Sequence, residues 1–121
     1  MGEMADLVRK ALAAEDLDAY GDLLDPAVTW GPPGDRNPPC TSRDQVVSWY
    51  QGGLDGGARA SGVDVEVRGS HLLVSMRVRG TVEARKRGGT ALRYQVLTVR
   101  EGRIAEIVGF NDKADALASL E

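Results

Sequence analysis

A chain of 121 residues with 42% hydrophobic and 27% charged residues has the composition of one soluble globular domain, residues 1–121, and not of a disordered segment. No apolar run approaches the roughly 20 residues that a membrane span needs, and the start lacks the apolar stretch of a secretory signal, so we expect a cytoplasmic protein without membrane contacts. The acidic pI of about 5.2 argues against nucleic acid as a partner, and Cys40, the only cysteine, excludes an internal disulfide.

The N-terminal part of the chain predicts two helices. Apolar residues recur at helical spacing over residues 3–14, which indicates an amphipathic helix. A second helix is predicted to begin at about Asp16, an acceptable N-cap, and to end at the Asp25-Pro26 pair, because a residue before proline avoids the helical conformation.

A strand, a Pro/Gly-rich crossing and a third helix are predicted next. Residues 28–30 are β-branched or aromatic, as is typical of a strand, and the prolines and glycines of residues 31–34 end it. Ser42 and Gln45 have the spacing of a capping box ahead of an apolar run. The third helix is therefore predicted to begin there and to end within residues 52–57.

The second half of the chain predicts an antiparallel sheet. Alternation of apolar and polar residues, with one face in water in the first hairpin, indicates strands at residues 63–67, 72–78, 92–100 and 103–110. A long turn is predicted around residues 85–89, and a short helix over residues 114–120. Helices followed by consecutive strands predict an α+β fold, a cone-shaped curved antiparallel β-sheet wrapped around three N-terminal-half helices and enclosing a pocket.

Four segments carry a recognisable pattern through their order and spacing: EDLDAYGDLLDPAVTW, PPGDRNP, SRDQVVSWY and VLTVREGRIAEIVGFND. Over nearly its whole length the chain resembles the nuclear transport factor 2-like superfamily, with its cystatin-like architecture, and within it the SnoaL-like proteins. The resemblance implies the cone, a homodimer formed through the sheet, a small hydrophobic ligand and no cofactor. The family includes ketosteroid isomerase, scytalone dehydratase, limonene epoxide hydrolase and polyketide cyclases beside many non-enzymes, so the resemblance implies a pocket and not a reaction.

The acid and base residues of these enzymes are missing from the matching positions. Gly31 stands where ketosteroid isomerase has its general-base aspartate, Val8 where it has its oxyanion tyrosine, and Gln95 where it has a protonated aspartate. Glycine cannot accept a proton, valine cannot donate a hydrogen bond, and glutamine can donate one but does not titrate. The resemblance to limonene epoxide hydrolase would require a carboxylate near Gly109, and this segment has none at that position. The catalytic residues are therefore left unassigned.

The resemblance also implies that Gln95 faces the pocket, and strand alternation then selects the remaining candidates for the site. Gln95 and Asn111 are inward amides that either orient a ligand oxygen or bond to nearby backbone. Arg93 pairs either with Asp112 or with a ligand carboxylate. Aromatic side chains supply either core packing or ligand contact. The predicted ligand-binding residues are Trp30, Trp49, Tyr20, Arg93, Gln95, Asn111 and Asp112, and no metal site is predicted.

Three functions stay open. The first is a SnoaL-like domain that binds a small hydrophobic molecule in the cone. The second is an isomerase, cyclase or hydrolase acting on a polyketide- or steroid-like substrate, with Asp35, Asp64 or Asp112 as the base and an inward amide stabilising an enolate. The third is a non-catalytic dimerisation module.

The dimerisation module would use the outer face of the sheet. Leu73, Arg77 and Arg79 lie on the predicted wet face of the first hairpin. A second subunit is expected to cover these residues in that case.

Overall fold

The computed structural model describes the whole chain, residues 1–121. Its helices are α1 (Gly2–Ala13), α2 (Leu17–Asp22), α3 (Arg43–Asp55), α4 (Val82–Lys86) and α5 (Lys113–Ala118). Its strands are β1 (Leu24–Gly31), β2 (Arg59–Arg68), β3 (His71–Arg79), β4 (Ala91–Arg100) and β5 (Arg103–Phe110). None of the helices has the length and apolarity that a membrane crossing requires.

α1 lies one residue earlier than its predicted range 3–14, and α2 and α3 begin at the predicted caps. Asp16 caps α2, its carboxylate accepting a hydrogen bond from the Ala19 amide at 3.1 Å. The helix ends at Asp22, earlier than the Asp25-Pro26 pair, because the chain has already entered β1 at Leu24.

The cap of α3 differs slightly from a standard capping box. The Ser42 hydroxyl accepts a hydrogen bond from the Gln45 amide at 3.2 Å, as predicted. The Gln45 side chain, however, accepts from the Thr41 amide at 2.7 Å, one residue before the cap. The helix ends at Asp55, inside the predicted window.

The sheet contains five strands in the order β1-β5-β4-β3-β2. Neighbouring strands from β2 to β5 are antiparallel, whereas β1 is parallel to β5, so the sheet is mixed. A parallel pair requires a long crossover connection, and here everything from α3 to β4 lies between the two strands. The predicted α+β cone is confirmed, with β1 as a parallel edge strand.

The inner face of the sheet forms the main core with α1 and α3. Leu72, Val74 and Leu97 are fully buried there. Strict alternation along β5 would place Ala105 on this inner face with Ile107, but Ile104 is the buried residue there. Between Thr98 and Val99 the register with β5 shifts by one residue, so that Ile104 is the buried partner of Val99 and Ala105 is the extra residue of a β-bulge.

The outer face is partly covered by α5, which the prediction of a wet face did not foresee. Leu73, although on that face, is only 1% exposed, since it packs in a second cluster with Val96, Phe110 and Ala116. Arg77 and the neighbouring part of the face stay exposed. The C-terminal helix therefore fills the position that the sequence assigned to solvent or to a second subunit.

A short helix, α4, occupies the start of the predicted long turn. The Thr81 hydroxyl accepts a hydrogen bond from the Ala84 amide at 3.0 Å and so caps this helix. The helix follows β3, and its Glu83 stays partly exposed and accepts a hydrogen bond from Arg87 at 2.7 Å.

Candidate functional site

Four aromatic side chains, contributed by α2, α3 and β1, pack together and form a wall. The Trp30 ring stacks on Tyr50 with centroids 4.8 Å apart and an interplanar angle of 21°. Trp49 meets Trp30 edge-on at 5.9 Å, and Tyr20 meets Tyr50 edge-on at 5.3 Å. Offset stacking and edge-to-face contacts are the favourable arrangements of aromatic rings, so the wall has a defined shape.

The backbone at the end of β1 holds Trp30 in this wall. Trp30 and Cys40 form an isolated antiparallel bridge, with N···O distances of 3.0 and 3.2 Å. The bridge folds the intervening Pro/Gly-rich loop back onto the site. Cys40 is buried under this loop, and burial raises the pKa of its thiol.

The position that resembles the general base is sterically closed. A Cβ atom on Gly31 would lie 2.9 Å from the Pro38 Cβ and 3.1 Å from the Pro39 Cδ. Contacts below 3.0 Å are repulsive, and proline rings cannot rotate away. The folded loop therefore occupies the space that a side chain at residue 31 would need.

The aromatic wall is shared by two clefts. The first has a volume of about 430 Å³ and is lined by Trp30, Gly31, Pro32, Pro33, Pro39, Cys40, Trp49, Arg93, Gly109, Phe110, Asn111 and Asp115. The second has a volume of about 290 Å³ and is lined by Trp30, Trp49, Tyr50, Gly53, Leu54, Ala58, Arg59, Ala60, Met76, Val78, Thr81, Glu83, Arg93 and Gln95. Trp30, Trp49 and Arg93 belong to both.

Arg93 is the one cation at the junction of the clefts that has no protein partner. Three arginines of the chain are half-buried, and of these Arg9 and Arg43 donate to protein oxygens. Arg93 makes neither an ion pair nor a side-chain hydrogen bond, since the four ion pairs of the structure involve other arginines. A partly desolvated guanidinium with five free donors favours an anionic or carbonyl oxygen beside it.

A buried amide and a phenol meet at the inner end of the second cleft. The Gln95 Nε2 donates to the Tyr50 hydroxyl at 3.0 Å, and Gln95 is only 7% exposed. Burial raises the pKa of Tyr50, and the hydrogen bond with Gln95 opposes this rise. The phenol is therefore held neutral, as a hydrogen-bonding group and not as a base at neutral pH.

The predicted ligand-binding residues divide into three groups. Trp30, Trp49 and Arg93 line both clefts, Gln95 lines the second, and Asn111 lines the first. Tyr20 is fully buried behind Tyr50 and lines neither cleft. Asp112 also lines neither, because its carboxylate caps α5 by accepting from the Ala114 amide at 2.7 Å, and it makes no ion pair with Arg93.

The carboxylates considered as bases lie away from both clefts. Asp35 accepts from the Asn37 amide at 2.9 Å in an exposed turn, and Asp64 is exposed on the outer face. The carboxylates that do line the clefts are Asp115 in the first and Glu83 in the second, and the sequence analysis missed both. Asp115 lies on α5 and Glu83 on the short helix α4. Local sequence signals can indicate such helices, but they do not show where the helices pack against the sheet.

The mixed sheet around helices, with a cleft-bearing wide end, defines a cystatin-like α+β cone. The chain belongs to the family described as the SnoaL-like domain, whose pattern matches residues 5–107. No curated protein matches the sequence significantly.

Solved structures share this fold at low sequence identity. A proposed polyketide cyclase from Sinorhizobium meliloti is 19% identical with a TM-score of 0.67, the match covering 91% of this chain and 95% of that one. A proposed ketosteroid isomerase from Kribbella flavida is 16% identical with a TM-score of 0.71, covering 92% and 76%. TerC, crystallised with polyporic acid, is 15% identical with a TM-score of 0.64, covering 98% and 95%.

Proposed function

We propose that the protein binds a small hydrophobic molecule carrying an anionic or carbonyl oxygen, with this oxygen on Arg93 and the apolar part against Trp30 and Trp49. The unpartnered guanidinium that lines both clefts together with the two indoles supports this proposal most directly. Charge-assisted hydrogen bonds to a guanidinium are strong in a partly dry site, and flat aromatic walls favour flat ring ligands.

The residues at the family's catalytic positions fit binding better than the reaction of ketosteroid isomerase. Gly31 cannot carry a base without displacing Pro38, and the clefts hold no histidine. The names of the structural neighbours point to polyketide, steroid and hydroxyquinone ligands, which combine rings with acidic or carbonyl oxygens. Such molecules are therefore the first ligands to test.

Tryptophan fluorescence provides the test, because the only two tryptophans of the chain, Trp30 and Trp49, both line the clefts. We expect aromatic carboxylates and hydroxyquinones, polyporic acid among them, to quench this emission saturably and to raise the melting temperature. Arg93→Met should weaken anionic ligands by about 1.5–3 kcal/mol, which is about 10- to 150-fold in Kd.

The matched control is Arg77→Met, which removes an exposed guanidinium of the outer face and should leave Kd unchanged. Uncharged analogues of the same ring size should distinguish wild type from Arg93→Met only weakly. Equal affinity of both arginine variants for the anions, or a panel without any saturable quenching, would contradict the proposed function.

A further inference from the structure

The two clefts extend from one charged junction. Trp30, Trp49 and Arg93 are their common residues, and beyond this junction each cleft has its own lining. The first continues between the proline-rich loop and Asn111, while the second continues between α3 and the apolar inner face around Met76. A ligand group on Arg93 is therefore placed where it has access to both clefts.

The charged residues of the clefts favour an anion beside Arg93 and not in the remote part of either cleft. Asp115 lines the first cleft and Glu83 lines the second, so each cleft carries one carboxylate besides the shared guanidinium. Arg59 also lines the second cleft, but its guanidinium donates to two backbone carbonyl oxygens and lies 3.8 Å from the Glu15 carboxylate. The hydrogen bond that Glu83 accepts from Arg87 at 2.7 Å lowers the pKa of Glu83 and keeps it ionised. Like charges repel in partly desolvated sites, so a second anionic group in either cleft is disfavoured.

We propose, on the basis of the proposed function, that the ligand has two arms: one central anionic group on Arg93 and an uncharged apolar or aromatic arm in each cleft. Each arm contacts one side of the indole wall formed by Trp30 and Trp49. The pattern of one unpaired cation, Arg93, with a carboxylate in each cleft thus selects the position of the ligand's charge as well as its sign.

Two glycines allow each cleft to be blocked separately. Gly109 lines only the first cleft, and a Cβ there would meet the Trp30 Nε1 at 3.8 Å and the Arg93 Nη2 at 4.0 Å, both ordinary contacts. Gly53 lines only the second cleft, and a Cβ there would meet the Ala58 Cβ at 3.8 Å. Neither residue has a positive φ, so both positions accept L side chains. Gly109→Leu and Gly53→Leu therefore fill one cleft each, with Gly109→Ala and Gly53→Ala as small-residue controls.

Two isomeric anions provide the matched probes. Diphenylacetate has a central carboxylate between two phenyl arms, whereas biphenyl-4-ylacetate has the same atoms with both rings in line and the carboxylate at the end. Phenylacetate has a single arm and serves as the probe for each cleft alone. Binding is measured by tryptophan quenching and checked by isothermal titration calorimetry.

We expect wild type to bind diphenylacetate at least about tenfold more tightly than biphenyl-4-ylacetate, since only the first isomer buries a ring in each cleft. Each leucine variant should weaken diphenylacetate by about tenfold or more, while each alanine variant stays near wild type. Phenylacetate should lose only about twofold in either leucine variant, because one of two alternative positions remains. Retained phenylacetate binding also shows that the variants are folded.

A diphenylacetate affinity that falls in only one leucine variant would overturn the two-armed ligand and leave the proposed function intact. Tighter binding of the linear isomer would do the same. If none of the three anions binds and Arg93→Met changes nothing for any aromatic acid, the proposed function itself fails together with this inference.

Discussion

The hydroxyl of Tyr20 is the clearest local test of the structure, because it is fully buried and its one polar neighbour, the Tyr50 side chain, does not meet the geometry of a hydrogen bond. Tyr20→Phe removes this oxygen and keeps the ring against Tyr50. An unsatisfied buried polar group costs about 1–3 kcal/mol. The gap left by one oxygen, about 10 Å³ at ~24 cal/mol per Å³, costs about 0.2 kcal/mol. We therefore expect the free energy of unfolding to rise by about 1 kcal/mol or more.

Urea denaturation measures this change, provided that the slope of the unfolding free energy with urea is the same in both proteins. A gain of about 1 kcal/mol corresponds to a rise in Tm of roughly 4 °C for a domain of this size. Tyr50→Phe is the matched control with the opposite sign, since it leaves the buried Gln95 amide without its partner and should cost about 1–3 kcal/mol. A Tyr20→Phe protein that is less stable than wild type by 1 kcal/mol would refute the assignment of an unpaired hydroxyl.

Four further predictions follow from close contacts, burial and the outer face. Gly31→Asp should lower stability by about 1–3 kcal/mol and create no isomerase activity, because its Cβ meets Pro38; wild-type Tm would contradict this. Gly80→Ala should cost about 3 kcal/mol or more, since φ is +80° and its Cβ would lie within 2.1 Å of the Gly57 carbonyl oxygen; a smaller loss in urea denaturation would show that this turn relaxes. Burial raises the pKa of Tyr20 and Tyr50, two of the three tyrosines, so the stability from keeping these phenols neutral is complete below about pH 10 and is lost at higher pH; tyrosinate absorbance from more than one residue rising before unfolding would contradict this. We propose that a homodimer forms through the part of the outer face left open by α5, around the 50% exposed Leu92; Leu92→Glu should then shift sedimentation to monomer, and an unaffected dimer would place the interface elsewhere.

Local signals in the sequence predicted most of the element boundaries. Asp16 and Ser42 cap their helices with the side-chain bonds expected of them, and β5 covers the predicted residues 103–110. Such features depend on neighbours within four residues, so a single sequence contains the necessary information. The short helix α4 escaped prediction because five residues are too few to show a periodicity.

Long-range contacts account for what the sequence analysis missed. The burial of Leu73 depends on where α5 docks, and the burial of Ile104 depends on a bulge whose register is set by the facing strand. At the site, Trp30 was a candidate because it ends a strand beside a proline-rich loop. Its division of the interior into two clefts depends on pairing with Cys40, ten residues away, and on the ring of Tyr50. These are tertiary contacts, and the alternation of apolar and polar residues along a strand does not specify them.

The absence of a side chain that acts as a base at residue 31 and the position of Trp30 in the aromatic wall both depend on Gly31. A side chain at this position would push Pro38 and Pro39 outward. The same displacement would strain the bridge between Trp30 and Cys40, which keeps the indole stacked on Tyr50. Glycine therefore lets the loop close over the strand end and form one side of the first cleft. The closed proline-rich loop leaves no room for a side chain that acts as a base at residue 31. The same loop holds Trp30 beside Arg93, where we propose that a ring-bearing anion binds.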